Sequence, residues 1–181
     1  MALKLPAVKP AKRVHLSDIH KVPGLEAEVD APGFGIKLKI KNKTDQPYRV
    51  AVTGGVLQPD DSKYQRLLVV GTTHKVDHVF LPTMNTGHCV MVPPGGEVES
   101  ELQTCCMDQP KAPPSGNPYK VGKKAAPERL SKIARAAATK VALGEGAPFD
   151  VSMGDVQDAA WDRDQGEQRE RLDKAVDSGK F

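Results

Sequence analysis

Phe34-Gly35-Ile36-Lys37-Leu38-Lys39-Ile40-Lys41 alternates apolar and basic side chains. Successive side chains of an extended chain point to opposite faces. Ile36, Leu38 and Ile40 then share a core face, and Lys37, Lys39 and Lys41 share a wet one. This is the clearest strand in the chain, and its neighbours extend the pattern. Asn42-Lys43-Thr44-Asp45-Gln46-Pro47 reads as a turn, and Tyr48-Arg49-Val50-Ala51-Val52-Thr53 alternates again before Gly54-Gly55. The two runs read as an antiparallel pair. Gln58 to Ser62 reads as a loop. Further strands are expected over 64–70, 75–81 and 88–92. Pro93-Pro94-Gly95-Gly96 makes a strong turn, and 97–105 is a last alternating strand.

So many short strands at short spacing predict a mainly β chain with a C-terminal α part: an immunoglobulin-like antiparallel β-sandwich followed by a small helical subdomain. Hydrophobic residues make up 39% and aromatics only 4% of the 181 residues, so the core must be built from Val, Leu, Ile and Ala. The expected organisation is an extended basic arm over 1–26, the β-sandwich over 27–107, a Pro-rich connector over 108–121 and a helical region with a polar tail over 122–181. Ser17 to Lys21 suits one helical turn within the arm. The connector carries Pro110, Pro113, Pro114 and Pro118. Beyond it, Pro127 suits a helix start, and Leu130, Ile133, Ala134, Ala137 and Val141 follow helical spacing. Ser152 can cap a second helix bearing Val156 and Trp161, and 168–176 suits a third. Trp161, Leu130, Ile133 and Val156 are expected to form the seam with the sandwich.

Net charge is only +3, too small to argue for nucleic acid without a clustered patch. Aromatics are also too few to interleave with the basic arm as a stacking platform. Lys4, Lys9, Lys12, Arg13 and Lys21 in the arm are the candidates for contact with a protein partner or a second copy. No apolar run is long enough to span a membrane. The first ten residues have no apolar signal core, and three cysteines make no disulfide framework, so a cytoplasmic chain with reduced thiols is expected. No nucleophile elbow, phosphate loop or dinucleotide fingerprint is found. Nothing calls for a cofactor, and a non-catalytic role is expected.

Two constellations could carry chemistry. The first pairs Cys105-Cys106-Met107-Asp108, at the end of the last strand, with Val156-Gln157-Asp158-Ala159-Ala160-Trp161 on the second helix. A thiol and a carboxamide can condense, with loss of ammonia, into an internal thioester. The second comprises His74, His78, Met84, His88, Cys89 and Met91, a soft ligand set for copper or zinc.

The order of the Asn42–Pro47 turn, strands, Pro93–Gly96 turn, Cys-Met-Asp step, Pro-rich connector and Gln-Asp-Ala-Ala-Trp helix resembles a group of bacterial β-sandwich modules. These end in a Cys-Leu-Asp-like step and carry a downstream Gln-x-Ala-x-Trp helix. That helix is in turn similar to the Thr-Gln-x-Ala motif of the thioester domains of Gram-positive surface adhesins. The resemblance implies that Cys106 is the thiol and Gln157 the acyl donor, with Ala159 and Trp161 shielding the bond. Val156 stands where that motif has Thr, and Cys105 where an aromatic is expected beside the thiol. The sequence thus points to a non-catalytic binding or structural module of a larger bacterial assembly. A covalent thioester module and a copper or zinc binder are the alternatives.

Overall fold

The structure, a computed structural model, describes residues 9–31, 35–73, 87–114 and 116–181. The strand expected over 75–81, together with Lys4, His74, His78 and Met84, lies outside the described residues.

The strands are β1 (Lys12–His15), β2 (Leu25–Asp30), β3 (Ile36–Asn42), β4 (Tyr48–Ala51), β5 (Val56–Pro59), β6 (Leu67–Thr73), β7 (Cys89–Val92), β8 (Glu97–Cys106) and β9 (Tyr119–Val121). The helices are α1 (Glu128–Leu143), α2 (Met153–Ala160) and α3 (Gly166–Ser178). The strands form two sheets, ordered β1-β4-β7 and β2-β3-β8-β6-β5-β9. The larger sheet curls until its edge strands β2 and β9 run close together. The fold is therefore a strand-rich body with two sheets and a C-terminal helical region.

The alternating stretch behaves as its period demands. Leu38 and Ile40 are fully buried on one face of β3. On the other, Lys37 and Lys39 reach diagonally to Glu99 (3.3 Å) and Glu97 (3.1 Å) of β8, and Lys41 reaches Glu28 of β2 (3.5 Å). These pairs are exposed and screened by water, so they add little. Burying Leu38 and Ile40 contributes about 1.5–3 kcal/mol each, so the apolar face holds the strand.

The pairing of that stretch with its successor is not as expected. β3 and β4 lie in different sheets, β3 between β2 and β8 and β4 between β1 and β7. The reason lies in Asn42. Its buried amide donates to Gln46 O (2.7 Å) and Pro93 O (3.1 Å), while its Oδ1 accepts from Thr44 N (3.0 Å). The chain crosses from one sheet to the other there instead of folding back as a hairpin. Nor is the body wholly antiparallel, because β1 pairs with β4 in parallel.

The expected extended arm is, from Lys12 onward, part of the body. β1 joins the small sheet, and Leu16–Lys21 forms a 3-10 turn that buries Leu16 and Ile19 in the core. The connector likewise contributes β9 to the edge of the large sheet.

Leu67-Leu68-Val69-Val70 is a continuous apolar run, and β6 is covered on both faces. Leu67 and Val69 join a core shared with Val50, Val52, Val90 and Val92 of the small-sheet side. Leu68 and Val70 join a second core with Ile133, Val156 and Leu172 of the helices. Small residues bring α1 close to the sheet. A Cβ at Gly71 would stand 2.7 Å from Gly87 O and 3.2 Å from the Ala138 methyl, so only glycine fits.

Candidate functional site

The register of β8 creates the site. β3 begins at Ile36, which faces Leu102, so among the described residues the last residues of β8 run on without a β3 partner. On the other side they remain paired with β6, where Leu67 faces Cys106. The open side of Cys106 is taken by Gln157 of α2. Cys106 N donates to Gln157 Oε1 (3.0 Å), and Gln157 Nε2 donates to Cys106 O (2.6 Å). The carboxamide thus replaces one residue of a missing neighbour strand.

Local sequence fixes both partners of this contact. Ser152 and Asp155 form a reciprocal capping box that starts α2, and Val156 is fully buried beneath it. Asp155 also accepts from Arg171 (2.7 Å) and Gln168 (3.0 Å) of α3. On the sheet side, Asp108 accepts a forked contact from Arg66 (Nη2 to Oδ1 2.6 Å, Nε to Oδ2 3.0 Å) and a further bond from Arg66 N (2.9 Å). Met107 N donates to Arg66 O (2.9 Å). The Cys-Met-Asp step is therefore held to β6 by Asp108 and to α2 by Gln157.

Both thiols are kept protonated. Burial, and then the neighbouring Cys106, pushes Cys105 up to about 12, and its Sγ lies 3.8 Å from Met153 O. Burial also pushes Cys106 above the ordinary thiol range. Cys105 belongs to the second core, and Ala159 packs against that core. Trp161 is half-buried at the C-terminal end of α2 with Arg163 over its ring, 4.9 Å from the centroid. The seam itself is built by Leu130, Ile133 and Val156, joined by Val151 and Leu172.

Of the ligand-type residues, His88, Cys89 and Met91 are described. His88 and Cys89 line one hollow. Both His88 nitrogens lie against hydroxyls, Nδ1 3.3 Å from Thr53 Oγ1 and Nε2 3.0 Å from Thr139 Oγ1. Burial, and then the nearby Arg135 charge, pushes its pKa down to about 4. Among the described residues no three His, Cys, Asp or Glu side chains are grouped to hold a metal ion.

In the arm, Lys9 pairs with Asp45 (2.9 Å) and Lys21 with Asp18 (2.7 Å). Lys12 and Arg13 are exposed on β1. Arg49 and Arg135, which carry no motif, join Arg13 around the hollow beside His88 and Cys89. Only the parallel β1–β4 register and the packing of α1 bring them there. Among the described residues no helix is long and apolar enough to cross a membrane. Comparison with known proteins finds no matching family model, no matching curated protein and no matching solved structure.

Proposed function

We propose that this chain is a non-catalytic binding or structural module, an immunoglobulin-like body with a docked helical region that works within a larger bacterial assembly. The observation that carries the reading is the outer edge of β1. The large sheet draws its two edges together, whereas β1 is paired on one side only among the described residues. Lys12 N donates inward to Pro47 O (2.9 Å), so strand alternation turns the Arg13 amide outward. Open edges of this kind accept a strand from another chain. A protein partner or a second copy of this chain fits that edge.

Sedimentation velocity over a wide concentration range, paired with hydrogen exchange, tests the self-association form. Association that slows exchange at the Arg13 amide supports the reading. A monomer at every concentration, or association that leaves Arg13 exchanging freely, removes it.

A second reading, covalent capture through a Cys106–Gln157 thioester, is favoured by the contact between those two residues. The Cys106 N–H on Gln157 Oε1 is a donor placed where negative charge develops when the carboxamide carbon is attacked. Cys106 Sγ would bond to Gln157 Cδ, the C–N bond would break, and the thiol proton would leave with the nitrogen as ammonia. A primary amine would then take the acyl group and restore the thiol. The protonated state of Cys106 works against the first step. Intact mass before and after methylamine decides. A mass short by one ammonia that rises with the amine supports the thioester, and the plain sequence mass, unmoved by amine, rules it out.

A further inference from the structure

The chain has eight arginines, at positions 13, 49, 66, 129, 135, 163, 169 and 171. Five are occupied: Arg66 with Asp108, Arg129 with Asp164 and Asp173, Arg169 with Asp162, Arg171 with Asp155, and Arg163 over Trp161. Arg13, Arg49 and Arg135 have no such partner among the described residues, and all three line the same hollow of about 320 Å³. Among the described residues no carboxylate lines it; the rest of the described wall is Ala51, His88 and Cys89.

The arrangement is costly when empty. Arg13 and Arg49 face each other in register across the β1–β4 pair, where like charges destabilise. Arg49 Nε is buried without a hydrogen-bond partner, and a buried donor left unmade costs about 1–3 kcal/mol. His88 is held neutral between two hydroxyls, so the positive charge comes from guanidinium groups alone.

We propose that this hollow binds the phosphate group of a small organic phosphate, held by Arg13, Arg49 and Arg135. Three guanidinium forks converging from β1, β4 and α1 suit a tetrahedral head with three terminal oxygens and two charges better than a planar carboxylate. A second hollow of about 450 Å³ adjoins the first, sharing Ala51, His88, Cys89 and Arg135 with it. Its further walls include Thr53, Ala126 and Phe181, mostly apolar surface suited to the organic body of the ligand. Among the described residues Glu128 is the acidic side chain there, and it is already paired with Lys132 (2.8 Å). The proposal does not depend on the partner reading, because it uses the side chains on the face of the small sheet and not the backbone edge of β1.

Calorimetric titration of the full chain with phenyl phosphate, inorganic phosphate and sulfate tests it. The expected result is saturable one-to-one binding, tightest for phenyl phosphate. Arg13→Ala and Arg135→Ala, both at exposed positions and therefore expected to fold, should each weaken it about tenfold or more. Lys63→Ala is the control, since Lys63 lies against Asp61 and Tyr64 and lines neither hollow. Absence of saturable binding, or binding that survives both arginine substitutions, overturns the site. Sulfate binding as tightly as phenyl phosphate overturns the assignment to a phosphate ester.

Discussion

The carboxamide of Gln157 pairs with the main chain of Cys106 as a neighbouring strand would, accepting from its N–H and donating to its carbonyl. A side chain on α2 thereby completes the ladder at the end of β8.

Gln157→Ala removes both bonds and leaves an N–H and a carbonyl of β8 unpaired near the helix seam. The expected loss is about 1–3 kcal/mol in urea unfolding. Cys106→Ala keeps the main-chain contact and should cost less. Equal losses in the two variants would show that the side chain of Cys106, and not its backbone, carries the docking.

The thiols should differ in reactivity. Cys105, with its pKa pushed up to about 12 by burial, should be alkylated most slowly, and Cys106 faster than Cys105 but more slowly than an exposed thiol. Peptide mass mapping after timed iodoacetamide treatment reads the order. Cys105 labelling first would contradict the packing of β8 against α2.

His88 should make the protein sensitive to mild acid. Its folded pKa of about 4 lies below its ordinary value of 6.5, so the unfolded chain takes up the proton first. Its contribution is complete above about pH 6.5 and is lost as pH falls toward 4. His88→Gln should flatten the stability profile in that window. An unchanged slope would mean that His88 is not held neutral in the folded protein.

Asp155 acts lower on the scale. Burial pushes its carboxyl up, but Arg171, Ser152 and Gln168 outweigh burial and hold it at about 2, below the ordinary 3.8. Its stabilisation is therefore complete above about pH 4 and is lost as pH falls through 2. Asp155→Ala should cost about 1–3 kcal/mol near neutral pH, through the lost helix cap and the lost tie to α3. Thermal unfolding at several pH values measures both effects.

The sequence by itself determined the local elements. The alternation of Ile36 to Lys41 made β3, with its apolar face inward and its lysines on the wet side. Glu97 to Cys106 followed the same period, and Ser152 with Asp155 started α2. These are readings over a few residues, where side-chain spacing maps directly onto a strand or helix face. The resemblance singled out Cys106 and Gln157 as a thiol and an acyl donor; the contact found between them joins the Gln157 carboxamide to the Cys106 main chain, which no reading of side-chain chemistry contains.

Only the tertiary structure decided which strands are neighbours. The turn after β3 is equally compatible with a hairpin and with a crossing between sheets. The choice was made by Asn42, whose amide is satisfied by carbonyls as distant as Pro93. Only the tertiary structure also folded the arm into the body, through burial of Leu16 and Ile19, and gathered Arg13, Arg49 and Arg135 around one hollow. An arginine on a strand and an arginine on a helix carry no mark of each other in sequence. Their proximity comes from a parallel register and a helix packing contact, both set by non-local burial that no short window of residues contains.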